Sequence, residues 1–302
     1  MEISWTGLLK GELLLVFNVS LGLLLGMVLL RADVPGKLLE AFRPVFVKIG
    51  IPPDIVAALA VSLGSSRAAT AVVAASFESG RINRNEALFG TLLQAFPGYL
   101  RRWITSFAVA VGLAGTAGAV YSLILLARSF VRFLIFLFLL RREQGVSLTD
   151  GGSGIPEANI SSPDLLRILK RTLPMACSFY AAAFIVAPWL HGMLERTSSV
   201  LPLLSPQGLT IVASSLAHVT AALGAAGGYL ASGGITPSHA VLALLVGNLL
   251  GIVFRVFRQN IAFWVGLFPA DMVKSLLFWH LITVVPLMIL SIGIVGVFVF
   301  FV

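Results

Sequence analysis

Charged residues are scarce in this chain. Only 11% of its 302 residues are Asp, Glu, Lys or Arg, and 58% are hydrophobic, whereas an ordinary soluble domain carries about 25% charged residues. No soluble fold could bury so much apolar surface. Several segments reach the roughly 20 mainly apolar residues that a helix needs to cross a bilayer. We therefore predict an all-α integral membrane protein, multi-pass in a cell membrane, with the lipid bilayer as its partner.

Patterns that bind metals or catalyse reactions are also scarce. Cys177 is the single cysteine, so no intrachain disulfide can form. The four histidines have neither HxxxH nor HxH spacing and no carboxylate cluster nearby, which argues against a metal site. The chain has no Walker loop, no GxSxG elbow and no Ser/His/Asp set in a suitable context. We expect no metal, no cofactor, no catalytic residue and no enzymatic activity.

Basic residues outnumber acidic ones, 21 to 13, which gives a net charge of +8. The excess lies in short connecting segments such as 31–48 and 141–142. In a membrane protein such segments are typical of cytoplasmic loops and of contacts with anionic lipids. We therefore expect no binding to nucleic acid. Lys and Arg are nearly balanced between alternate loops, so the orientation of the chain in the membrane stays open.

Hydropathy divides the chain into two halves. It collapses over 144–164 into Gly, Ser, Pro and charge, which is linker composition. We predict a first transmembrane repeat over 1–143, a linker over 144–164 and a second repeat over 165–302. The predicted apolar spans and runs are 11–30, 55–76, 86–111, 112–140, 166–192, 209–231, 238–268 and 275–301.

An offset of 153 residues aligns the two halves without a gap. It superposes Ser79-Gly80-x-Ile82 on Ser232-Gly233-x-Ile235, and the window 60–102 contains twelve identities in 43 positions. Helix-breaking residues fall at matching places, with Pro97 and Gly98 in the first half and Gly251 in the second. Duplicated halves with broken helices are typical of secondary transporters. We predict a polytopic bundle of two pseudo-symmetric repeats, inverted or parallel.

Polar side chains inside apolar runs are the candidate substrate-binding residues, because charge at membrane depth normally faces a protein interior or a wet cavity. Arg67, beside Ser65 and Ser66, is interpreted in this way, although a span that starts later would leave it at an interface. Gln94 and Asn248 need hydrogen-bond partners in hydrocarbon. Those partners are either a polar solute or another helix.

Arginine clusters follow the helix breaks in both halves. Guanidinium groups suit phosphate or carboxylate, so the clusters predict an anionic solute if they face the interface between the repeats. If they end helices at the membrane surface, they determine topology instead. His218 is either a proton-coupling group or a hydrogen-bonded core residue. The candidate substrate-binding set is Ser65, Ser66, Arg67, Gln94, Arg101, Arg102, His218, Thr220, Asn248, Arg255 and Arg258.

The run from Ser62 to Arg102 carries a family resemblance. It contains Ser-Leu-Gly-Ser-Ser-Arg-Ala-Ala-Thr, the turn Ser-Gly-Arg-Ile, and Glu-Ala-Leu leading to Gln-Ala-Phe-Pro-Gly. These motifs resemble archaeal membrane proteins of the nucleoside-recognition or Gate domain family. That superfamily includes the membrane part of bacterial ferrous iron transporters, spore maturation membrane proteins and relatives of concentrative nucleoside transporters. The resemblance implies a duplicated, transport-like helical fold, but this chain lacks the GTP-binding domain of the iron transporters.

These observations predict a secondary permease for a small polar solute, with an anion favoured by the arginine clusters and a nucleoside or nucleotide suggested by the resemblance. Two alternatives stay open. The first is an intramembrane flippase or enzyme that acts on a lipid phosphate held by the arginine clusters. The second is a non-transporting membrane scaffold, which predicts a tightly packed interior with no polar cavity. Small residues on the second span suit a homodimer contact as well as a contact within one chain.

Overall fold

The structure, a computed structural model, describes residues 50–143, 204–261 and 264–301, together with Leu13 and Phe46. Within these ranges the chain forms helices and turns and no strand. The prediction of an all-α protein is therefore confirmed. The predicted linker 144–164, the predicted span 166–192 and, apart from Leu13, the predicted span 11–30 lie outside the described residues.

The helices of the described ranges fall into two similar series. Their bounds, in chain order, are α1 (Pro53–Gly64), α2 (Ser66–Glu78), α3 (Arg84–Leu93), α4 (Ala95–Glu143), α5 (Pro206–Ala217), α6 (Val219–Ala231), α7 (Pro237–Arg255), a π-helical segment (Val256–Ile261) and α8 (Ala270–Phe301). Each bound of α5 and α6 lies 153 residues after the corresponding bound of α1 and α2. Gly80 (φ 72°) and Gly233 (φ 69°) occupy the same place in the turns that follow.

Two of the predicted spans, 55–76 and 209–231, are each two helices rather than one. The first is interrupted at Ser65, which is extended (φ −152°, ψ 113°), and the second at His218 (φ −164°, ψ 141°). Each interrupting residue caps the helix that follows. The Ser65 hydroxyl accepts a bond from the Ala68 amide, and His218 Nδ1 accepts one from the Thr220 amide. A polar cap satisfies amides that have no partner inside the helix.

The junction between α3 and α4 lies at Gln94, three residues before the predicted break at Pro97 and Gly98. Pro97 instead lies in the first turn of α4, where its missing N–H removes no helical hydrogen bond. In the second half, α7 continues through Gly251 and becomes π-helical at Val256. Gly251 therefore does not mark the point where this helix changes.

Helix α4 bends sharply in its middle. Ala114 (φ −123°, ψ 15°) and Gly115 (φ 54°, ψ −131°) have non-helical backbones, and the positive φ of Gly115 is one that glycine adopts at little cost. Across the bend, Trp103 Nε1 donates to the Ser122 carbonyl at 2.9 Å. The bend therefore gives α4 two arms, 95–113 and 116–143.

Each half contributes residues to the hydrophobic core of the other half. The core built on residues 204–256 and 284–288 also contains buried residues between 109 and 121 of α4. The core built on residues 46–93 and 133–140 also contains buried residues between 264 and 276. The two halves are thus interlocked rather than merely in contact. An ion pair between Arg84 and Asp271 at 3.0 Å adds a polar link between them.

Two stretches of the described chain, 84–142 and 270–300, are long and apolar enough to cross a membrane. Only 17% and 28% of their most apolar windows are buried within the protein. Large side chains on them face outward, including Phe138 (66% exposed), Phe298 (63%) and Phe300 (67%). These windows are therefore less buried than the core helix of a soluble protein, which is mostly buried.

Candidate functional site

A cavity of about 460 Å³ lies between the two halves, where α4 faces α6, α7 and α8. Its size is within the range of small-molecule sites, roughly 300–1,000 Å³. Of the described residues, no Asp or Glu lines it. The polar part of its wall consists of Tyr99, Arg102, Ser106, Tyr121, Ser122, Arg128, Ser129, Arg132, Asn248, Asn260 and His280.

Both arms of α4 supply arginines to this cavity. Arg102 comes from the first arm, and Arg128 and Arg132 come from the second arm. Because Arg128 and Arg132 are four residues apart, their side chains project from the same face of the helix, one turn from each other. Like charges in this arrangement repel each other. The described part of the cavity wall therefore carries a concentrated positive charge.

Arg132 has an incomplete set of partners. One terminal nitrogen lies 3.1 Å from His280 Nδ1, and its guanidinium carbon lies 5.5 Å from the centre of the Phe136 ring. A guanidinium has no acceptor, so Nδ1 must accept this bond. Arg132 Nε is buried and has no hydrogen-bond partner among the described residues. The guanidinium of this cavity-lining residue is therefore only partly hydrogen-bonded within the described part of the chain.

Arg128 makes an unusual contact. One of its terminal nitrogens lies 2.8 Å from the thioether sulfur of Met288 on α8, and a thioether is a weak acceptor.

A buried hydrogen bond joins the two halves at the cavity wall. Asn248 Nδ2 on α7 donates to the Tyr121 hydroxyl on α4 at 2.6 Å, and both residues are at most 6% exposed. The bond uses one amide hydrogen of Asn248 and fixes the side chain against α4. Its effect is to hold α7 in register with the second arm of α4.

Irregular helix geometry borders the cavity on the second-half side. The π-helical segment contributes Val256 and Asn260, and α6 contributes Val219, its first residue after the interruption at His218. π-Helical turns within α-helices occur frequently at functional sites. The N-terminal end of α6 also carries the positive end of the helix dipole. Both features add polar backbone to a wall that is otherwise built from side chains.

Several predicted site residues come together here and others lie nearby. Arg102 and Asn248 line the cavity, and Thr220 follows the lining residue Val219. His218 and Ser65 are exposed caps at the two interruptions. The predicted set is therefore split between the cavity wall and the helix breaks that border it.

Other predicted site residues hold the first broken helix together. Arg101 donates from one terminal nitrogen to the carbonyls of Leu63 (3.0 Å) and Gly64 (2.8 Å), which end α1. Gln94 is buried and donates to the Thr70 hydroxyl at 2.7 Å.

Helix α4 also approaches α2 closely, at Gly98. A Cβ at Gly98 would collide with the Ser66 hydroxyl, so this glycine allows the two helices to touch.

The structure describes only the backbone of Arg67, Arg255 and Arg258. Arg67 lies in the first turn of α2, Arg255 ends α7, and Arg258 lies in the π-helical segment. Where these three side chains point is outside the description.

The sequence reasoning did not identify Arg128, Arg132 or His280 as site residues. In the structure His280 lies inside α8, beside Arg132. A sequence signal did exist, since two arginines four residues apart in an apolar run occupy one helix face. Tyr121 and Leu125 continue that face and also line the cavity.

Comparison with known proteins finds distant archaeal relatives. The chain is 23% identical to the uncharacterized protein MJ0871 of Methanocaldococcus jannaschii over 252 residues, which cover 78% of each protein. It is 22% identical to the uncharacterized protein MJ1556 of the same organism over 261 residues, 82% of each protein. No family model matches the chain, and no solved structure matches it. The similarity to these relatives extends over most of the chain.

Proposed function

We propose that this protein is a multi-pass membrane permease for a small anionic solute, which binds in the cavity between two pseudo-symmetric repeats. The observation that carries the proposal is the composition of the cavity wall. Three arginines line it, and no carboxylate among the described residues does. A binding pocket with this charge selects anions.

Electrostatics favour an anion beside guanidinium groups that lie out of water. Guanidinium groups taken out of water lose solvation, and the loss is recovered only when they are paired. In a surrounding of low dielectric constant the attraction between an arginine and an anion is also stronger than in water. An anion in the cavity would lie beside Arg102 and Arg132, whose side chains line it.

Membrane insertion is supported by the outward-facing apolar side chains of α4 and α8. Both helices exceed the roughly 20 residues that cross a bilayer, and most of their apolar windows stay unburied within the protein. The bent α4 would place Arg128 and Arg132 within the apolar region. Charged residues at that depth normally face a protein interior or a water-filled cavity and belong to substrate or ion pathways.

The pseudo-symmetry rests on the shared offset of 153 residues. It relates the helix bounds, the interruptions at Ser65 and His218, and the turns at Gly80 and Gly233. In transporters built from repeats, interrupted helices surround the substrate and their free backbone groups contribute to binding. Rocking of one repeat against the other would expose the cavity alternately to the two sides of the membrane. The resemblance to the nucleoside-recognition family makes nucleotides the first anions to test.

The test is transport by purified protein reconstituted in liposomes. Vesicles would be loaded with a labelled anion, such as phosphate, a nucleotide or a dicarboxylate, and its exchange with external anion measured. We expect exchange for at least one anion and its loss in Arg102→Gln and Arg128→Gln. Arg142→Gln, at the exposed end of the same helix, is the matched control and should exchange normally. Exchange that survives both cavity substitutions would contradict the proposal.

The scaffold alternative predicts a packed interior without a polar cavity. A cavity of about 460 Å³ with arginine, tyrosine and serine side chains on its wall argues against it. A protein that served only as a scaffold would gain stability by filling this space with apolar side chains.

A further inference from the structure

One face of the first arm of α4 lines the cavity. The lining residues of this arm recur at helical spacing, which places them on one side of the helix. They are Ala95, Phe96, Tyr99, Arg102, Ser106 and Ala110. At a rise of about 1.5 Å per residue, the stretch from Ala95 to Ala110 extends about 22 Å. The cavity is therefore elongated, and the polar side chains of this arm lie in the middle of its length.

Arg102 is the most accessible of the three arginines on the cavity wall. It is exposed, whereas Arg128 and Arg132 are partly buried and already contact side chains of α8. Arg102 Nε lies 3.4 Å from the Gly98 carbonyl, and among the described residues no carboxylate pairs with Arg102. Arg128 and Arg132 thus add positive field to the cavity. The terminal nitrogens of Arg102 are in place to bind a ligand directly.

Tyr99 supplies a second donor beside Arg102. The two residues line the cavity three positions apart, and side chains at this spacing are neighbours, with about 5–6 Å between their Cβ atoms. The guanidinium fork matches the two oxygens of a carboxylate, and the phenolic O–H can donate to either oxygen. One exposed guanidinium balances one negative charge. The pair therefore favours a monocarboxylate over a group with two negative charges.

Apolar side chains form much of the remaining wall. They come from both arms of α4 and from the second half, among them Phe96, Leu125, Phe133, Leu223, Ile252 and Val284. A small hydrated ion such as acetate would leave this surface in contact with water. A ligand with an apolar body covers the surface, and removing apolar surface from water favours binding. The wall therefore fits a ligand with one charged end and an apolar body.

We infer that the ligand of this cavity is a monocarboxylate with an apolar body, its carboxylate bound by Arg102 and Tyr99. This inference rests on the proposed anion permease, since it names the class of anion for the same cavity. The body can be aliphatic or aromatic, because the carboxylate that the two side chains recognise is the same in both.

The experiment is a thermal-shift titration of the full chain in a neutral maltoside detergent at about pH 7.5, where carboxylic acids are ionised. The aliphatic arm compares hexanoate with hexanamide, which lacks the charge, with adipate, which has a second charge, and with acetate, which lacks the body. The aromatic arm compares benzoate with benzamide. Adenosine 5′-monophosphate, a dianion with an aromatic body, completes the set.

The titrations are repeated with substitutions at both proposed ligand contacts. Arg102→Gln removes the charge and Tyr99→Phe removes the hydroxyl. Arg142→Gln and Tyr229→Phe are the matched controls, since neither Arg142 nor Tyr229 lines the cavity.

We expect hexanoate or benzoate to bind about 10-fold or more tightly than its amide, because the amide loses a charge-assisted hydrogen bond. That ratio corresponds to about 1.4 kcal/mol. The preference should disappear in Arg102→Gln and persist in Arg142→Gln. Tyr99→Phe should weaken carboxylate binding about 5-fold, and Tyr229→Phe should leave it unchanged. A preference limited to hexanoate supports the inference with an aliphatic body, and one limited to benzoate supports it with an aromatic body.

Three results would overturn the inference while leaving the permease proposal in place, provided that some anion is exchanged in liposomes. The first is equal affinity for each carboxylate and its amide, or a preference that survives Arg102→Gln. The second is tighter binding of adipate or adenosine 5′-monophosphate than of any monocarboxylate. The third is binding of acetate as tight as that of hexanoate and benzoate. If no anion shifts the protein and none is exchanged, both the inference and the proposed function fail.

Discussion

Arg132 allows the electrostatic argument to be tested by a gain of stability. We predict that Arg132→Met makes the ligand-free protein more stable and abolishes its response to anions. Methionine has a similar length, carries no charge and fills irregular space. Replacing buried ionic groups by apolar ones of similar volume is often neutral or stabilising by about 1–4 kcal/mol.

The magnitude follows from the contacts of Arg132. Arg128 leaves the helix one turn away, and Cβ atoms at that spacing are about 6 Å apart. Two like charges at about 6 Å repel by about 3 kcal/mol at an effective dielectric constant of about 20, and desolvation adds several kcal/mol. Two contacts of Arg132 are favourable. The bond to His280 contributes about 1.5–3 kcal/mol, and the contact with Phe136 contributes about 0.5–2 kcal/mol. Repulsion and desolvation together exceed the favourable contacts. Arg132→Met should therefore stabilise the ligand-free protein.

Differential scanning fluorimetry of the purified protein measures the effect. At about 2.1 cal/mol/K per residue, a gain of 1 kcal/mol raises the melting temperature of a 302-residue chain by about 1.6 °C. A gain of about 1–4 kcal/mol therefore raises it by a few degrees. Arg142→Met, at the exposed end of α4, should leave the temperature unchanged. A lower melting temperature for Arg132→Met without ligand, with Arg142→Met unaffected, would show that Arg132 is a structural residue and would refute the reasoning.

Three further substitutions test the packing around the cavity. Gly227→Ala should strongly destabilise the fold because its new Cβ would collide with the Leu113 carbonyl, whereas Gly228→Ala, which meets nothing within 4 Å, should be neutral or slightly stabilising in the same melting assay. Tyr121→Phe should cost about 1–3 kcal/mol, measured by denaturant or thermal unfolding, because it removes the buried hydroxyl that Asn248 uses at 2.6 Å. Arg101→Ala should lower stability by a similar amount and increase hydrogen exchange at the end of α1, since two carbonyls lose their donor; unchanged exchange would contradict this role.

Helical content and the ends of several helices could be predicted from the sequence. Apolar runs of 20 or more residues predict long helices, and the structure confirms the helical class and two helices that are long and apolar enough to span. The turn at 79–85 was also recognisable. Asn83 and Glu86 form a reciprocal capping box there, with bonds of 2.9 and 2.8 Å, the three-residue spacing that precedes many helices.

The interruptions at Ser65 and His218 could not be predicted from local sequence. Neither position carries proline, and the alanine-rich residues around them favour a continuous helix. Tertiary contacts explain the first interruption, since Arg101, 37 residues away in the chain, binds the carbonyls that α1 leaves free. A hydrogen-bond donor so distant in the chain produces no pattern in the residues around Ser65. Sequence patterns report local preferences, and this break depends on a partner outside any local window.

The sequence indicated the chemical character of the cavity, but it identified only some of the residues that line it. Arg102 and Asn248 were identified as polar groups in apolar runs, and both line the cavity. Arg128 and Arg132 share one helix face, but the sequence does not show whether that face meets lipid, a loop or the other half. That depends on the bend at Gly115, which directs the second arm of α4 toward α8.

The interlocked cores have a consequence for the synthesis of the protein. The core around residues 46–93 is completed by residues 264–276, which the ribosome makes only after α5, α6 and α7. Until then the early helices keep an unfilled apolar groove. A chain that stops before residue 264 would therefore lose the stability of its first half as well as its second. The two halves must therefore fold together, and neither folds as an independent module.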